Sequence, residues 1–437
     1  MRNADPPPPS FLRGRHASAP VGIRPYAVIS SAPLPPPLPS PSAPSPHDHP
    51  HHPSPSFARQ RDYWAVGLNH FAVDVLNGGR NLIIALLAVA LLLTNEQVAL
   101  VALVYNIGNA LSQPLFGLLA DKVGPRWLVI GGMGWMMLFA GLAAVASDWL
   151  ALAAITCMGL GSGAFHPAGT MVASHVAAPQ RARATSVFFF MGQMGLFVGP
   201  IVVGMALDTW GRPGFGVIAL LAAVALISGW QWVVNPAHEA AVAPAPAPAE
   251  ATTVRPRPRL TLVLPLLLTL VGYSTINVTM LTFMPKLLTE RAYDMSYVGW
   301  LAGVFMLCAA VGGTVGGVLA DKYGGRWVIL GGLLTCIVPL YLAIPATGVW
   351  QVLGLGVAGF FSGMPHSVLV LLVQGLLPAR RALASGLVLG AMFFGGAVGS
   401  YAIGLAADSV GLELAMQGLV LFPLVGAVAS LMVKSGK

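Results

Sequence analysis

An aspartate stands within the first long apolar stretch of the chain, about ten residues after Trp64. This residue, Asp74, follows His70 by one helical turn, so the two side chains share a helix face. An ionisable residue inside a membrane span is energetically costly and by default indicates a function. Because burial favours the neutral form of a carboxylic acid, Asp74 could bind and release protons near neutral pH, with His70 tuning it. We predict proton coupling at this pair; alternatively, both lie near the cytoplasmic mouth and only satisfy polar neighbours.

Arg80 lies further along the same stretch and is the one Lys or Arg well inside a predicted span, with Asn77 and Asn81 beside it. Its planar fork of N–H donors matches the oxygens of a phosphonate, phosphate or carboxylate. We therefore predict that Arg80 and Asn77 contact the substrate, an anionic one included. The alternative is that Arg80 lies near the external end of its helix and extends its head group into the membrane interface.

Two further histidines, His166 and His366, are separated by 200 residues and lie at corresponding places in two similar stretches. Pro167 follows the first and Pro365 precedes the second, which predicts that both helices are broken there. Broken helices near the membrane midplane are typical of transporter binding sites. We predict that both histidines line a central cavity, the alternative being satisfied interior residues. Weaker candidates for the same lining are Asn106, Gln113, Gln193, Tyr273, Asn277 and Gln374.

The composition decides which solvent surrounds these residues. Of the 437 residues, 56% are hydrophobic and only 9% are charged, against roughly 25% charged residues in a soluble globular domain. Such a chain cannot cover a water-facing surface, so most of it must face lipid. Apolar runs near the ~20 residues that a bilayer requires occur at roughly 64–91, 97–119, 127–146, 149–174, 183–207, 213–234, 261–285, 296–319, 327–346, 349–375, 382–407 and 411–433.

Two regions differ from these spans in composition. Residues 1–60 are rich in Pro, Ser and His, cannot bury enough apolar area to fold, and hold no apolar run of signal-peptide length. The Ala/Pro/Arg-rich stretch 236–260 is typical of an extended linker. We therefore predict a disordered cytoplasmic tail (1–60), a six-helix half (61–235), a cytoplasmic linker (236–260) and a second six-helix half (261–437).

The positive charges indicate the orientation of the chain. The net charge is +8, and 19 of the 23 Lys and Arg fall in the tail, in the linker, at the C-terminus or in loops on one side of the bundle. By the positive-inside rule this side, with both termini, is cytoplasmic, which requires an even number of spans. The charge therefore indicates topology and not a nucleic-acid site.

Cys157, Cys308 and Cys336 fall inside separate apolar runs, which argues against a disulfide framework or a metal site.

An internal repeat relates the two halves. Residues 117–132 and 317–332 are identical at ten of sixteen positions, at an offset of 200 residues. This predicts an all-α membrane protein with twelve transmembrane helices in two pseudo-symmetric six-helix halves, a transporter design. Each copy carries a carboxylate and cations at a helix end, which could latch the halves together in one state; a purely topogenic cluster is the alternative. The motif residues are Gly117, Asp121 and Arg126, with Gly317, Asp321 and Arg326.

The pattern Gly-x-x-x-Asp-Lys-x-Gly-x-Arg in both copies resembles the loop signature of the major facilitator superfamily. This resemblance covers about residues 62–435 and implies the major facilitator fold and a gating role for the signature. Within that superfamily, the chain is similar to the fosmidomycin resistance protein family, which implies a bacterial inner-membrane location and drug export. The tail departs from the family pattern. The similar stretches are His70-Phe71-x-x-Asp74, residues 113–117, residues 161–167, and Leu376-Leu377-Pro378 before Ser385-Gly386.

The fifth span contains Gly195, Gly199, Pro200 and Gly204, which resemble the antiporter motif of drug exporters in the superfamily. Glycines four residues apart, with a proline beside them, predict a kinked and tightly packed helix. Two glycines of the motif are absent here, so a packing kink without a mechanistic role is the alternative.

Together these features predict a secondary active transporter that exports a small drug-like molecule in exchange for protons, by alternating access. An anionic, fosmidomycin-like compound is one class of substrate. Two alternatives stay open: uptake or facilitated diffusion of a small metabolite, and a membrane sensor that does not transport. An enzyme is not expected, because the sequence has no nucleotide-binding loop and no metal-ligand spacing. We expect no cofactor and no bound metal, and a monomer whose partners are its substrate, protons and the lipid bilayer.

Overall fold

The computed structural model describes residues 60–174, 181–235, 260–376 and 381–433, which fold as an all-α membrane protein. Within these residues twelve helices are long and apolar enough to cross a bilayer, which confirms the predicted number. In chain order, α1 to α12 are Arg61–Ala90, Asn95–Val123, Pro125–Val145, Asp148–Ser174, Arg181–Trp210, Pro213–Trp232, Leu260–Glu290, Met295–Tyr323, Gly325–Ala343, Gly348–Leu376, Arg381–Val410 and Leu412–Ser430. The predicted tail (except Gln60) and the predicted linker (except Leu260) lie outside the described residues.

The repeated motif sets where the second and third helices of each half meet. Gly124 has a φ of 87° and Gly324 a φ of 90°, a region that glycine enters without steric penalty. Each glycine therefore ends one helix and starts the next with no further loop residue. Pro125 fits the first position of α3 because no backbone N–H is needed there.

Two local predictions about the helices are wrong. Helix α4 continues through Pro167, where a break was expected; in a membrane helix, neighbouring groups can satisfy the carbonyl that a proline frees. In the second half, α10 is interrupted only at Met364, between Gly348–Gly363 and Pro365–Leu376, and Met364 keeps helical backbone angles (φ −52°, ψ −39°). Helices α2 and α8 also extend to residues 123 and 323, past the expected ends at 119 and 319.

Helix α1 is buried along most of its length and packs most extensively against α5. Glycines on both helices allow this approach. A Cβ atom at Gly79 would lie 2.3 Å from Val203 Cγ2, and one at Gly199 would lie 2.3 Å from the carbonyl oxygen of Val75. Only a hydrogen atom fits at either position, so the backbone of α5 lies directly against α1.

The two halves meet along two symmetry-related helix pairs, α5 with α8 and α2 with α11. A Cβ atom at Gly204 of α5 would lie 2.3 Å from the carbonyl oxygen of Met295, and one at Gly404 of α11 would lie 2.9 Å from that of Asn95. Both contacts lie at the helix ends that the charge pattern assigns to the outside. The halves are therefore in close contact at their outer ends.

Candidate functional site

Asp74 is buried inside the first half, with 6% of its surface exposed. Its Oδ2 atom lies 3.3 Å from Nε2 of His70. Its Oδ1 atom lies 3.6 Å from Nε2 of His166 and accepts a hydrogen bond of 2.9 Å from Nδ2 of Asn77. The structure thus brings together four predicted site residues from α1 and α4. We call His70, Asp74 and His166 the His–Asp–His cluster.

Each imidazole of the cluster is also held through Nδ1, the ring nitrogen that does not face Asp74. Nδ1 of His70 lies 2.8 Å from the carbonyl oxygen of Phe188, and its ring stacks on the Phe188 ring at 4.1 Å. Nδ1 of His166 lies 2.7 Å from the carbonyl oxygen of Ser162, one turn earlier on α4. Because a carbonyl oxygen only accepts, Nδ1 carries the hydrogen in both rings and Nε2 faces Asp74. Among the described residues, these three groups are also the set whose ligand atoms lie close enough to hold a metal ion.

A hydrogen-bond network extends from Asp74 to α2 and α4. Nδ2 of Asn77 also donates to Ser162 Oγ at 3.1 Å, and the hydroxyl of Tyr105 donates to Asn77 Oδ1. Neither Tyr105 nor Ser162 was a candidate from the sequence. The repeat could have indicated Tyr105, because Phe305 stands at the corresponding position and the hydroxyl belongs to one half only.

Arg80 lies on α1, one turn beyond Asn77. Its guanidinium carbon lies 3.6 Å from the centre of the Tyr105 ring, and its NH1 donates to the carbonyl oxygen of Asn77 at 2.9 Å. Its Nε is buried without a hydrogen-bond partner. No carboxylate of the described residues lies within 4.0 Å of Arg80. The guanidinium lies against the buried Tyr105, and its spare donors are suited to an anion.

Glycines of α5 make room for the cluster. A Cβ atom at Gly192 would lie 2.4 Å from His70 Nε2 and 2.7 Å from Asp74 Oδ2, and one at Gly195 would lie 2.4 Å from the carbonyl oxygen of Phe71. Gly192 was not predicted from the sequence, because it lies outside the motif that singled out Gly195. The effect of Gly192 on the site depends on the contact between α5 and α1.

The antiporter-like motif continues this packing toward the second half. Pro200 lies inside α5, which is not interrupted there. A Cβ atom at Gly78 would lie 2.8 Å from Pro200 Cδ, and one at Gly299 would lie 2.0 Å from the Pro200 carbonyl oxygen. The motif therefore packs α5 on α1 of its own half and on α8 of the other half.

The histidine of the second half has a different environment. His366 Nδ1 lies 2.9 Å from the hydroxyl of Tyr273, and no carboxylate of the described residues lies within 4.0 Å of the ring. Asn277 and Gln113 make local hydrogen bonds of 3.3 Å, to Tyr273 O and Asn109 Oδ1. The structure does not bring these three candidates into the His–Asp–His cluster.

The residues of the predicted latch motif make contacts within their own halves. Arg126 donates to the carbonyl oxygens of Val233 (2.6 Å) and Trp230 (2.7 Å), both within its own half. Asp121 and Asp321 are exposed, and neither forms an ion pair with a described residue. A Cβ atom at Gly117 or Gly317 would make only an ordinary contact, at 3.7 or 3.8 Å, and the Arg326 guanidinium lies 5.5 Å from the Trp327 ring. None of these contacts joins the two halves.

Two carboxylates close the opposite, outer ends of the halves. Asp208 of α5 accepts hydrogen bonds from the backbone N–H of Met295 (2.9 Å) and of Ser296 (2.7 Å), at the start of α8. Asp408 of α11 accepts from the backbone N–H of Asn95 (2.8 Å) and of Glu96 (2.9 Å), at the start of α2. Each carboxylate satisfies free N–H groups at a helix N-terminus of the other half. These paired contacts hold the outer ends together.

A family model described as the Major Facilitator Superfamily matches residues 66–296 and 283–436. The chain belongs to the major facilitator superfamily. This superfamily member is therefore a multi-pass membrane transporter of small-molecule substrates and not an enzyme.

Two relatives resemble the transporter over most of its length. It is 30% identical over 377 residues to the MFS-type transporter YfnC of Bacillus subtilis (strain 168), which covers 84% of this chain and 91% of the relative. It is 28% identical over 371 residues to the fosmidomycin resistance protein of Escherichia coli (strain K12), which covers 83% of this chain and 90% of the relative. The resemblance inferred from the motifs is confirmed.

Solved structures show the same fold. A bacterial homologue of the human lysosomal transporter Spinster, in an inward-facing and occupied conformation, matches with a TM-score of 0.72 at 13% identity, over 85% of this chain and 96% of that one. The nucleoside transporter NupG matches with a TM-score of 0.68 at 13% identity, over 86% of this chain and 99% of that one. At such identities the likeness concerns the fold alone.

Proposed function

We propose that this transporter exports a small anionic, drug-like molecule in exchange for protons. One observation carries the proposal: in the described residues, a partly buried arginine without a carboxylate partner lies on the same helix as the His–Asp–His cluster. Arg80 supplies a fixed positive charge, whereas the cluster supplies groups that gain and lose protons. Coupled transport needs one site for the substrate and another for the proton, close enough to influence each other.

Arg80 anchors the anionic group of the substrate. The face of its guanidinium lies on Tyr105, so an oxyanion approaches from the edge, where the N–H donors point. A phosphonate, phosphate or carboxylate can accept two of these hydrogen bonds in one plane. Asn77 connects this anchor to the cluster, because its carbonyl oxygen binds Arg80 and its side chain binds Asp74.

Exchange follows when the bound substrate disfavours the proton at a neighbouring group, and His166 is suited to this competition. Its side chain is 24% exposed, against 3% for His70. A substrate hydroxyl or amine that donates to His166 Nε2 occupies the lone pair that a proton otherwise takes. The loaded transporter then moves without that proton and the empty transporter returns with it. The proposed substrate therefore combines an anionic group with a hydrogen-bond donor.

Proton-coupled uptake is a second candidate function, and the position of Arg80 beside the cluster favours it. Arg80 and Asp74 both bind Asn77, so protons on the cluster offset negative charge near the anchor. Protonation then strengthens anion binding, and proton and anion move in the same direction. The direction in which a pH gradient drives the substrate separates exchange from uptake.

Alternating access gives the paired outer contacts and the latch motif opposite roles. In the proposed cycle, Asp208 and Asp408 release α8 and α2 when the outside opens, while Asp121 and Asp321 form the latch on the other side. The positive-inside rule supports an inner-membrane orientation with both termini, the tail 1–60 and the linker 236–260 in the cytoplasm. We propose a monomer, because one chain supplies both halves of the cycle.

The test is transport by the purified protein in liposomes with an imposed pH gradient. Fosmidomycin and a panel of anionic and cationic compounds serve as probes, and Arg80→Gln serves as the variant. We expect an anionic compound to move against the proton flux in the wild type and to lose this movement in the variant. Movement in the same direction as the protons would establish uptake. Movement without a gradient would establish facilitated diffusion. No movement across the panel would contradict transport of these classes and favour the sensor.

A further inference from the structure

The two imidazoles of the His–Asp–His cluster meet Asp74 in an arrangement that requires protons. Their Nδ1 hydrogens are already donated to the carbonyl oxygens of Phe188 and Ser162. In a neutral imidazole with its hydrogen on Nδ1, Nε2 is an acceptor, and an ionised carboxylate is acceptor-only. Two acceptor nitrogens would then face carboxylate oxygens at 3.3 and 3.6 Å. That arrangement is repulsive unless a proton lies between the groups.

The hydrogen bonds around Asp74 indicate on which side of each contact the proton resides. Oδ1 already accepts from Asn77 Nδ2, which favours a carboxylate over an O–H group at that oxygen. In water, an imidazole keeps its proton at pH values where a carboxyl group has lost it. A carboxylate placed between two imidazoles stabilises an imidazolium on each side, since both contacts then join opposite charges.

We propose that Nε2 of His70 and Nε2 of His166 are the proton-carrying atoms, and that Asp74 stays ionised between them as their counter-ion. The inference rests on the proton coupling proposed above and moves it from the carboxyl group to the imidazoles. Each ring takes up one proton from water as an N–H bond and later returns it. The net charge of the cluster changes from negative to positive as both rings are filled.

The groups around the cluster are compatible with this role. Among the described residues, the other charged or titratable side chains that face it are Arg80 of α1 and Tyr105 of α2. Both reach Asp74 through Asn77, which donates to the carboxylate and accepts from Tyr105. From α5 the cluster is faced by Phe188 and Gly192, which leave no room beside His70. The positive charge of Arg80 disfavours further positive charge on the cluster, and the negative charge of Asp74 offsets this effect.

The repeat supplies a matched control. His366 stands 200 residues after His166, but its Nδ1 meets the Tyr273 hydroxyl, which can donate to it. No carboxylate of the described residues faces this ring within 4.0 Å. His366 therefore has no counter-ion for an imidazolium. We expect it to stay neutral while His166 gains and loses its proton.

Infrared difference spectroscopy on the protein in liposomes locates the proton without depending on transport. The variants are His70→Asn, His166→Asn and, as the control, His366→Asn; asparagine keeps an N–H donor near the position of Nδ1 but has no Nε2. Between about pH 5 and 8, we expect imidazolium signals to titrate and no protonated-carboxyl band to appear. His70→Asn and His166→Asn should each remove one imidazolium signal, and His366→Asn none. A protonated-carboxyl band that disappears in Asp74→Asn would overturn the proposal.

Transport measurements separate this inference from the function on which it rests. We expect His166→Asn to lower pH-driven transport more than about tenfold, the factor that corresponds to 1.4 kcal/mol. A wild type without any pH-driven transport would refute the proposed function, while the wild-type spectra would still decide where the proton resides. Transport that stops on chelation and returns with a divalent cation would overturn the inference.

Discussion

The two halves follow the repeat closely at their outer ends and depart from it in their interiors. Asp208 and Asp408 are 200 residues apart, and each binds the start of a helix in the opposite half. In the interior, the first half carries the His–Asp–His cluster and Arg80. The corresponding positions of His70, Asp74 and Arg80 in the second half are Leu270, Ser274 and Met280.

This difference separates what a duplicated scaffold must share from what it needs only once. Closing the outer ends requires the halves to act on each other, so each supplies the same contact. A buried ionic cluster is costly in a membrane, and a second copy would double that cost without adding a new function. The proposed chemistry therefore lies where the symmetry is broken.

The largest effect is expected at the centre of the asymmetric cluster. Asp74→Asn should abolish pH-driven transport, because both imidazolium ions lose their counter-ion in a site of low dielectric. Ser274→Ala, at the corresponding position of the second half, should leave transport within about twofold of the wild type, as expected of a substitution away from such a cluster. Uptake into liposomes under a pH gradient measures both variants. Equal losses in the two would remove the distinction between the halves.

Arg80→Met gives the first half the residue that the second half has at this position. We expect the affinity for an anionic substrate to fall roughly 10- to 100-fold, because a hydrogen bond to a charged group contributes about 1.5–3 kcal/mol. Isothermal titration of the purified protein measures the affinity.

Two further variants sharpen this result. Arg80→Lys keeps the charge but loses the planar fork, so its affinity should lie between those of the wild type and Arg80→Met. Met280→Leu should not change the affinity. An unchanged affinity in Arg80→Met would place the anion elsewhere in the cavity.

Gly192→Ala tests whether the cluster needs the space that α5 leaves for it. In the second half the corresponding residue is Met392, a buried side chain in a region without a cluster. A Cβ atom at Gly192 overlaps His70 and Asp74, so the free energy of unfolding should fall by about 1–3 kcal/mol, as in other overpacked cores. Gly108→Ala is the control, because nothing lies within 4 Å of its Cβ position. Thermal unfolding compares them; equal stability would show that the cluster can shift.

The sequence predicts the scaffold better than the site. Twelve spans and the repeat follow from apolar runs, and the pairing of His70 with Asp74 follows from their spacing on one helix. The contact of His166 with Asp74 depends on how α1 packs on α4, which no local pattern encodes. The carbonyl oxygen of Phe188 is placed by the glycines of α5 and is equally invisible in the sequence. The break predicted at Pro167 is wrong, because groups on neighbouring helices can satisfy the carbonyl that a proline frees. The spacing of residues in the sequence does not show those neighbours.

The smallest effects are expected where the halves are alike. Asp208→Asn and Asp408→Asn each remove a carboxylate from a helix N-terminus, a contact that contributes about 0.3–1 kcal/mol. Each should therefore shift the equilibrium toward the outward-open state by a factor of about 2–5. Distances between spin labels on the outer ends of α2 and α11, and of α5 and α8, measure this shift.

The pair of variants also tests whether the outer contacts are independent. The carboxylates cap different helices, so the double variant should show the sum of the two free-energy changes, as distant sites do within about 0.3–0.5 kcal/mol. Asp408 has one more partner than Asp208, since Asn95 Nδ2 also donates to it at 2.9 Å, and Lys286 donates to the same asparagine. A larger shift in Asp408→Asn would therefore show that the symmetry of the outer ends is already incomplete, with the second contact as the stronger one.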